Sequence, residues 1–334
     1  MKNYGVDSII NQSNNAIATI SVWEQHPVPS YHQYYRRREC SMTVRNTVEI
    51  GDVRITLVEE LVMPTSVRWM LPDHPAPFEL LDNCRSWLEP HFLNERGHIL
   101  QSMHSWVIEA DGMRIVVDTG IGNDKDREAE GYDGWHMRNG PYLADLAEAG
   151  SPAKKIDVVL NTHLHSDHAG WNTKWTNGHW APTFVNARYQ LVQQEWRYWD
   201  KVADSCPNII EDSVRPLFEA NVVDLVTADH RVSDSVELEP SHGHTPGHVC
   251  VRINSHGKSA IILGDVIHSP IQCAAPEQRP PLDSFIKEAR IARRAFLERY
   301  ADTDTIVLGS HFHTPAAGMI RRTGSTYRFD VAEA

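Results

Sequence analysis

The sequence predicts a layered α/β fold, because short apolar strands dominate both halves of the chain and amphipathic helices lie between them. An Asp111-Gly112 turn separates the apolar runs 102–110 and 113–117, which is a strong hairpin signal. Residues 285–300 repeat apolar side chains at helical spacing, with Arg and Glu between them, and predict the longest helix. Together these observations favour one layered domain.

The other elements follow from apolar runs and their boundaries. Residues 51–63 predict a half-buried strand, whereas the Pro- and Trp-containing stretch 63–97 predicts a long irregular loop that serves a site. Residues 141–149 start with Pro and end before Gly150, as a short helix does. Further helices are expected at 187–200 and 213–220, and further strands at 156–161, 222–226, 236–239, 249–253, 260–263 and 305–308.

The chain divides into two parts by composition. Residues 1–45 are polar, show no sustained period and predict an N-terminal arm or extension, either disordered or packed on a partner subunit. Residues 46–334 predict a single domain. An arm of this kind leads us to expect a homodimer.

Charge and cysteine usage limit the function classes. With 32 Lys+Arg against 44 Asp+Glu, the net charge of −12 argues against binding to nucleic acid or an anionic membrane. No apolar run reaches the roughly 18 to 20 residues that cross a bilayer, and residues 1–12 lack the apolar core of a secretory signal, so we expect a cytoplasmic protein. The scattered cysteines predict free thiols rather than disulfides or a thiolate zinc site: Cys40, Cys84, Cys206, Cys250 and Cys273.

The strongest chemical signal is the segment Thr162-His-Leu-His-Ser-Asp-His-Ala-Gly170, which follows an apolar strand. His163 and His165 are two residues apart, so both can contact one ion, and Asp167 and His168 can turn toward a second. Imidazole nitrogens and carboxylate oxygens are ligands that zinc favours. Four such residues within six positions predict a metal site rather than a surface histidine cluster.

Three later segments repeat the arrangement of a strand, a metal-competent residue and a glycine-rich turn. They are His242-Gly-His-Thr-Pro-Gly-His248, Gly264-Asp265 and Gly309-Ser-His-Phe-His313. On chemistry alone His242 and His248 compete with His244 as a ligand, and His313 competes with His311. We prefer His311, because it lies nearer the end of its strand.

These motifs, in this order, resemble the metallo-β-lactamase superfamily over residues 51–328. The resemblance implies an αββα four-layer sandwich with two metals at one edge. It also implies a first metal held by His163, His165 and His244, a second held by Asp167, His168 and His311, and Asp265 as a bridge between both. Asp118 matches the Asp-Thr-Gly turn that supports the metal loop in this family.

Two zinc ions about 3.5 to 4 Å apart can hold a hydroxide between them and make it a nucleophile at neutral pH; Mn, Co or Fe could replace zinc in such a site. Asp167 would orient that hydroxide and pass a proton to the leaving group. The sequence contains no GxSxG motif, and this absence disfavours a serine nucleophile.

The branch of the family is indicated by position 268. Acyl-homoserine lactonases often place Tyr three residues after the bridging Asp, whereas this chain has His268. That feature, with Ala187-Arg-Tyr189 and Glu195-Trp-x-x-Trp199, resembles the methyl parathion hydrolase branch. His268 is therefore either a proton donor or oxyanion contact, or a structural histidine.

The expected substrate is a small, fairly apolar ester, lactone or phosphotriester. Aromatic and apolar residues near the motifs could form a pocket wall, or equally pack in the core: Trp69, Met70, Leu71, Phe78, Trp171 and Trp175. A β-lactamase or thioester hydrolase of the same fold is an alternative, and so is a metal-binding module without turnover.

Overall fold

The computed structural model describes residues 47–132, 134–203 and 207–332, so the expected arm (residues 1–45) lies outside the described residues. These residues belong to one compact unit. Their strands are β1 (Thr47–Ile50), β2 (Val53–Thr65), β3 (Ile99–Ala110), β4 (Met113–Val117), β5 (Val158–Leu160), β6 (Thr173–Thr176), β7 (His179–Pro182), β8 (Arg188–Val192), β9 (Val223–Val226), β10 (Val236–Pro240), β11 (Val249–Ser255), β12 (Lys258–Ile262), β13 (Ile306–Leu308), β14 (Ala317–Thr323) and β15 (Thr326–Val331).

The helices lie between these strands. They are α1 (Val67–Met70), α2 (Pro77–Leu88), α3 (Tyr142–Glu148), α4 (Ser166–Ala169), α5 (Gln193–Val202), α6 (Pro207–Ile209), α7 (Arg215–Glu219), α8 (Ile271–Ala274) and α9 (Ile286–Tyr300). A π-helical turn, Ile210–Val214, connects α6 to α7. Within the described ranges no helix is both long and apolar enough to cross a membrane.

Two large sheets carry the fold. One has the strand order β1-β2-β3-β4-β5-β8-β9 and the other β10-β11-β12-β13-β14-β15, while β6 and β7 form a separate hairpin. Strands β4, β5, β8 and β9 run parallel to one another, and so do β12 and β13. Since parallel strands end at the same edge of a sheet, the loops that follow them are brought together there.

The two sheets pack face to face, as the alternation of side chains along the strands requires. In β4, Ile115 and Val117 face the core between the sheets, together with Val251 and Leu308 of the second sheet. Val116 between them faces the opposite way, into a second cluster.

Helices cover the outer faces of the sheets. Tyr142 and Leu146 of α3 pack in the second cluster, against the outer face of the first sheet. Phe296 and Leu297 of α9 are buried with residues of the second sheet, including Ile320. The result is four layers, helices-sheet-sheet-helices, which confirms the αββα sandwich.

Two predicted elements were wrong. Residues 63–97 are not a long loop: they contain α1 and α2, and α2 starts at Pro77 and buries Leu81, Cys84 and Leu88 along one face. Residues 187–200 are not one helix, because Arg188–Val192 pairs beside β5 as a parallel strand before α5 begins.

Two hairpins were missed by the sequence analysis. The Asn177-Gly178 turn joins β6 to β7, and both residues have positive φ, which is the signature of a two-residue hairpin. A second turn joins β14 to β15.

The prediction of free thiols is confirmed for Cys84, Cys250 and Cys273, which are buried and unpaired. Cys40 and Cys206 lie outside the described residues.

A buried charge network joins the segment after β4 to the π-helical turn. The carboxylate of Asp212 accepts two hydrogen bonds from the Arg127 guanidinium, at 2.7 and 2.9 Å, and lies 3.3 Å from Lys125 Nζ. The side chains of Lys125 and Arg127 are fully buried. The Lys125 ammonium also lies 3.8 Å from the centre of the Trp180 ring. One carboxylate thus serves two buried cations.

Candidate metal centre

The predicted ligands meet at one edge of the sandwich, where loops of both sheets come together. His163 follows β5, and its neighbour Thr162 is hydrogen-bonded to Asp118, which follows the neighbouring parallel strand β4. Asp265 follows β12 and His311 follows its parallel neighbour β13. A backbone hydrogen bond of 3.1 Å from Val249 N to Thr162 O joins the two sheets at this edge.

One group of donor atoms consists of His163, His165, His244 and Asp265, and these atoms all lie within 4.8 Å of one another. The His165 Nδ1 atom lies 2.9 Å from both His163 Nε2 and His244 Nε2. The Asp265 Oδ2 atom lies 3.2 Å from His244 Nε2 and 3.7 Å from His163 Nε2. The structure therefore brings together the residues that we predicted for the first metal.

A second group consists of Asp167, His168 and His311. The Nε2 atoms of His168 and His311 are 3.1 Å apart, and Asp167 Oδ2 lies 3.5 Å from His311 Nε2. The Asp265 Oδ1 atom lies 3.2 Å from His168 Nε2 and 3.1 Å from His311 Nε2. Asp265 thus directs one oxygen to each group.

The outward-facing nitrogens of these histidines have fixed partners. His168 Nδ1 lies 2.9 Å from Asp118 Oδ2, and His244 Nδ1 lies 2.9 Å from Asp283 Oδ1. His311 Nδ1 lies 3.2 Å from the backbone oxygen of Ser102. When such a partner accepts the Nδ1 proton, the Nε2 lone pair points into the group.

Asp118 supports the loop 162–170. Its carboxylate accepts hydrogen bonds of 2.8 Å from both the backbone N–H and the hydroxyl of Thr162. Asp118 also has a positive φ of 57°, so the chain turns sharply after β4 and directs this carboxylate toward the loop after β5.

Close packing constrains the turn before Asp265. Gly264 has a φ of 55°, and a Cβ placed there would lie 2.5 Å from His248 Nε2. That nitrogen accepts a 2.8 Å hydrogen bond from the Asp265 backbone N–H. His248 therefore orients the Asp265 loop and lies outside both donor groups.

Burial and neighbouring charge shift the pKa values of the first-group histidines in different directions. Burial lowers the pKa of His163 and of His165 well below its ordinary value. Burial would also lower the pKa of His244, but the carboxylates of Asp265 and Asp283 outweigh it and raise the pKa to about 9. His163 and His165 are thus kept uncharged, with lone pairs available to a cation.

The histidines that the sequence left open as alternatives differ in position. His242 lies outside both donor groups, and so does His313, whose Nδ1 lies 2.8 Å from the His91 backbone oxygen. His268 lies between the groups: its Nε2 is 3.1 Å from Asp265 Oδ2, and its ring is parallel to that of His311 at 5.7 Å.

Access to the two groups is uneven. His165 and Asp167 are half-buried, whereas the other five predicted ligands are buried. Trp199 packs edge-on against the His165 ring at 5.4 Å. His165 and Asp167 are therefore the most accessible of the predicted ligands.

The apolar residues proposed as a pocket wall do not form one surface, because they differ in burial and in the residues that they contact. Met70, Leu71 and Trp171 are buried in the hydrophobic clusters, so core packing explains them. Phe78 and Trp175 are exposed. Trp69 alone of this set is half-buried, and it packs against Tyr132 at 6.2 Å.

Sequence reasoning missed the role of three buried residues behind the donor groups. Asp283 contacts His244, and Arg293 contacts Asp283 at 3.2 Å while donating a 2.7 Å hydrogen bond to Val266 O. Glu195 binds two loops of the centre through backbone N–H groups. Asp283 and Arg293 stand in no recognisable motif, and Glu195 stands only in a segment that resembles one branch of the family.

The chain matches a known protein family over most of the segment that contains the site. The family model described as the metallo-beta-lactamase superfamily matches residues 102–311, which contain every predicted ligand. An N-acyl homoserine lactonase from a Bacillus species is 23% identical over 169 residues, which are 47% of this chain and 60% of the relative. A lactonase of the same name from Bacillus cereus matches equally, so the chain spans about 60% of the length of these curated relatives.

Solved structures share the fold over most of the chain. Hydrolase AbOPH of the beta lactamase superfamily superposes with a TM-score of 0.71 at 20% identity, covering 86% of this chain and 97% of that one. AidC, a dizinc quorum-quenching lactonase in complex with a product, superposes with a TM-score of 0.70 at 18% identity and the same coverage.

Proposed function

The chain belongs to the metallo-beta-lactamase superfamily, and from this premise we propose that it is a hydrolase that holds two zinc ions and cleaves small, fairly apolar esters or lactones, with phosphotriesters as a further substrate class. The placement of Asp265 carries the proposal. Its two oxygens lie 3.1 to 3.2 Å from ring nitrogens of two different histidine groups. A carboxylate in that position can serve two cations at once.

The residues present fit two divalent cations. Asp265 Oδ1 is buried and makes no hydrogen bond within the described part of the chain, and three ring nitrogens of the first group crowd within 2.9 Å of a neighbour. Ring nitrogens packed this closely beside a buried carboxylate are the ligand types that a divalent cation such as zinc favours. We assign His163, His165 and His244 to one cation, and Asp167, His168 and His311 to the other, with Asp265 shared.

Bound divalent cations lower the pKa of water toward neutrality and polarise the oxygen of the bond to be cleaved. The remaining work falls to side chains of this protein. Asp167 is half-buried on the accessible side, where its carboxylate can accept a proton from the attacking water and return it to the leaving group. Asp118 and Asp283 hold the rings of His168 and His244 in place.

Lactones are the substrates that we would test first. Support comes from the curated relatives, which are named N-acyl homoserine lactonases, and from AidC, which is described as a dizinc lactonase. The homodimer and the cytoplasmic location stay predictions; the mass of the full chain in solution tests the first of them.

The decisive experiment is a panel of substrates assayed with the zinc-loaded chain before and after chelation. The panel contains an N-acyl homoserine lactone, a p-nitrophenyl ester, an aryl phosphotriester, a β-lactam and a thioester. We expect hydrolysis of the lactone or the aryl ester, its loss on removal of the metal and its recovery with zinc. Turnover of the β-lactam or thioester alone would replace the proposed substrate class, and zinc binding without any turnover would favour a non-catalytic module.

His268 is proposed to donate a hydrogen bond to the oxyanion that develops on the substrate. Replacing it with alanine should lower kcat by about 10²- to 10³-fold, the usual cost of losing one such donor. Because His268 is outside both donor groups, the variant should still bind two zinc ions. Kinetics and metal content measured together test this, with His256→Ala as control, since His256 is exposed. Unchanged kcat would make His268 a structural residue.

A further inference from the structure

One buried carboxylate joins the two loops that carry the first histidine group. Glu195 lies in the first turn of α5 and is 1% exposed. Its Oε1 accepts hydrogen bonds of 3.1 Å from Leu164 N and 2.6 Å from Trp199 Nε1. Its Oε2 accepts a 2.8 Å hydrogen bond from Gly247 N. The two oxygens thus hold two loops that come from different sheets.

The two backbone donors flank the histidines of the first group. Leu164 lies between His163 and His165, and Gly247 lies in the turn that begins at His244. The turn also packs directly on α5, since a Cβ placed at Gly247 would lie 2.3 Å from Glu195 N and 2.5 Å from Glu195 Cβ. Contact at this distance leaves no room for any side chain at position 247.

The contact continues to the His165 ring. Trp199, which donates its indole N–H to Glu195, packs edge-on against that ring at 5.4 Å. In the described ranges no Lys or Arg forms a salt bridge with Glu195, so hydrogen-bond donors rather than a cation hold its buried carboxyl group. Loss of one acceptor atom would leave a buried N–H without a partner.

We propose that Glu195 is a positioning residue for the first cation: it fixes the separation between the loop of His163 and His165 and the turn of His244. This inference rests on the proposed function, because it requires that the first group binds a cation. It assigns no contact between Glu195 and substrate. If Glu195 has this role, the affinity of the first group for a cation depends on Glu195, although Glu195 is not a ligand.

Glu60 is a comparable buried carboxylate outside the first group. It accepts hydrogen bonds of 2.6 Å from Ile121 N, 3.1 Å from Gly122 N and 2.9 Å from Trp171 Nε1. It has the same N–H donors, two backbone groups and one indole, and contacts neither loop of the first group. Arg138 Nε also lies 3.6 Å from its Oε1, so neutralising Glu60 costs at least as much as neutralising a carboxylate held by these donors alone. Glu60→Gln controls for the general cost of neutralising such a carboxylate.

The test compares Glu195→Gln with Glu60→Gln in a full chain that also carries Asp167→Ala and His311→Ala, so that the first group alone can bind. Zinc affinity is measured by competition with a chromophoric chelator, and the geometry of the site by the visible absorption of bound Co²⁺. We expect Glu195→Gln to weaken zinc binding about 10- to 100-fold and to alter the Co²⁺ spectrum. Glu60→Gln should change the affinity by less than about threefold.

The outcomes separate the two proposals. Equal affinity in Glu195→Gln and its parent, or an equal loss in both glutamine variants, would overturn the positioning role and leave the proposed function intact. A wild-type chain that binds no zinc would overturn both. If Glu195→Gln does not fold, Gly247→Ala tests the same contact from the other side, and an unchanged zinc affinity in that variant would also overturn the inference.

Discussion

Replacing Asp265 with asparagine is expected to lower kcat/KM by more than about 10³-fold, beyond the 10²- to 10³-fold cost of losing one electrostatic contact in an active site. The reason is that this single carboxylate directs one oxygen to each histidine group, at 3.1 to 3.2 Å. Asparagine keeps the size of the side chain but removes its charge and one acceptor atom. Zinc content should fall from two ions per chain to one or fewer.

Metal content and kinetics of the same preparation check this result. Asp229→Asn is the matched control, because Asp229 is exposed and lies outside both donor groups. A variant that keeps two zinc ions and turns over within tenfold of the wild type would contradict the shared role of Asp265. A wild-type chain with one tightly bound ion would contradict it as well.

The second large effect is on stability and lies away from the metal centre. Asp212→Ala should reduce the free energy of unfolding by about 3 to 5 kcal/mol, the typical cost of breaking a buried ion pair by removing one partner. Asp212 is the carboxylate partner of Arg127, at 2.7 Å, and of Lys125, at 3.3 Å, and the side chains of both cations are fully buried. Alanine leaves both buried basic side chains without that carboxylate.

Urea unfolding of the variant measures this loss. The informative comparison is a triple variant, Lys125→Met, Arg127→Met and Asp212→Leu, which removes the cations together with the carboxylate. We expect it to be more stable than Asp212→Ala, because apolar replacement of a whole buried ion pair is often neutral. A loss of less than about 1 kcal/mol in the free energy of unfolding of Asp212→Ala would be that of an ordinary substitution. It would contradict the stabilising role of the network.

Much of the fold could be predicted from local sequence patterns. The hairpin at Asp111-Gly112 and the long helix α9 were confirmed, because turn chemistry and helical periodicity are local signals. The strand Arg188–Val192 was mistaken for helix, since its pairing with β5 is a tertiary contact. The helix α2 was mistaken for loop because Pro and Trp obscured the spacing of Leu81, Cys84 and Leu88.

The candidate site was predictable to the extent that its residues stand in motifs. The loop 162–170, Asp265 and His311 could be singled out from the sequence, because strand ends and glycine turns mark them, whereas the choice of His244 over His242 and His248 came from the family resemblance. The residues behind them could not. Asp283 and Arg293 contact His244 and the Asp265 loop only after α9 has packed, and no spacing in the sequence relates them.

The seven candidate ligands are divided between the two sheets, four after β5 and three in loops of the second sheet. Bound ions would therefore link the loops of one sheet to the loops of the other. An unfolded chain offers no preformed site, so ion binding stabilises the folded state by mass action. The free energy of unfolding rises by about 2.7 kcal/mol when the free ion is at 100 times its dissociation constant. The thermal tolerance of this protein would then depend on the supply of zinc.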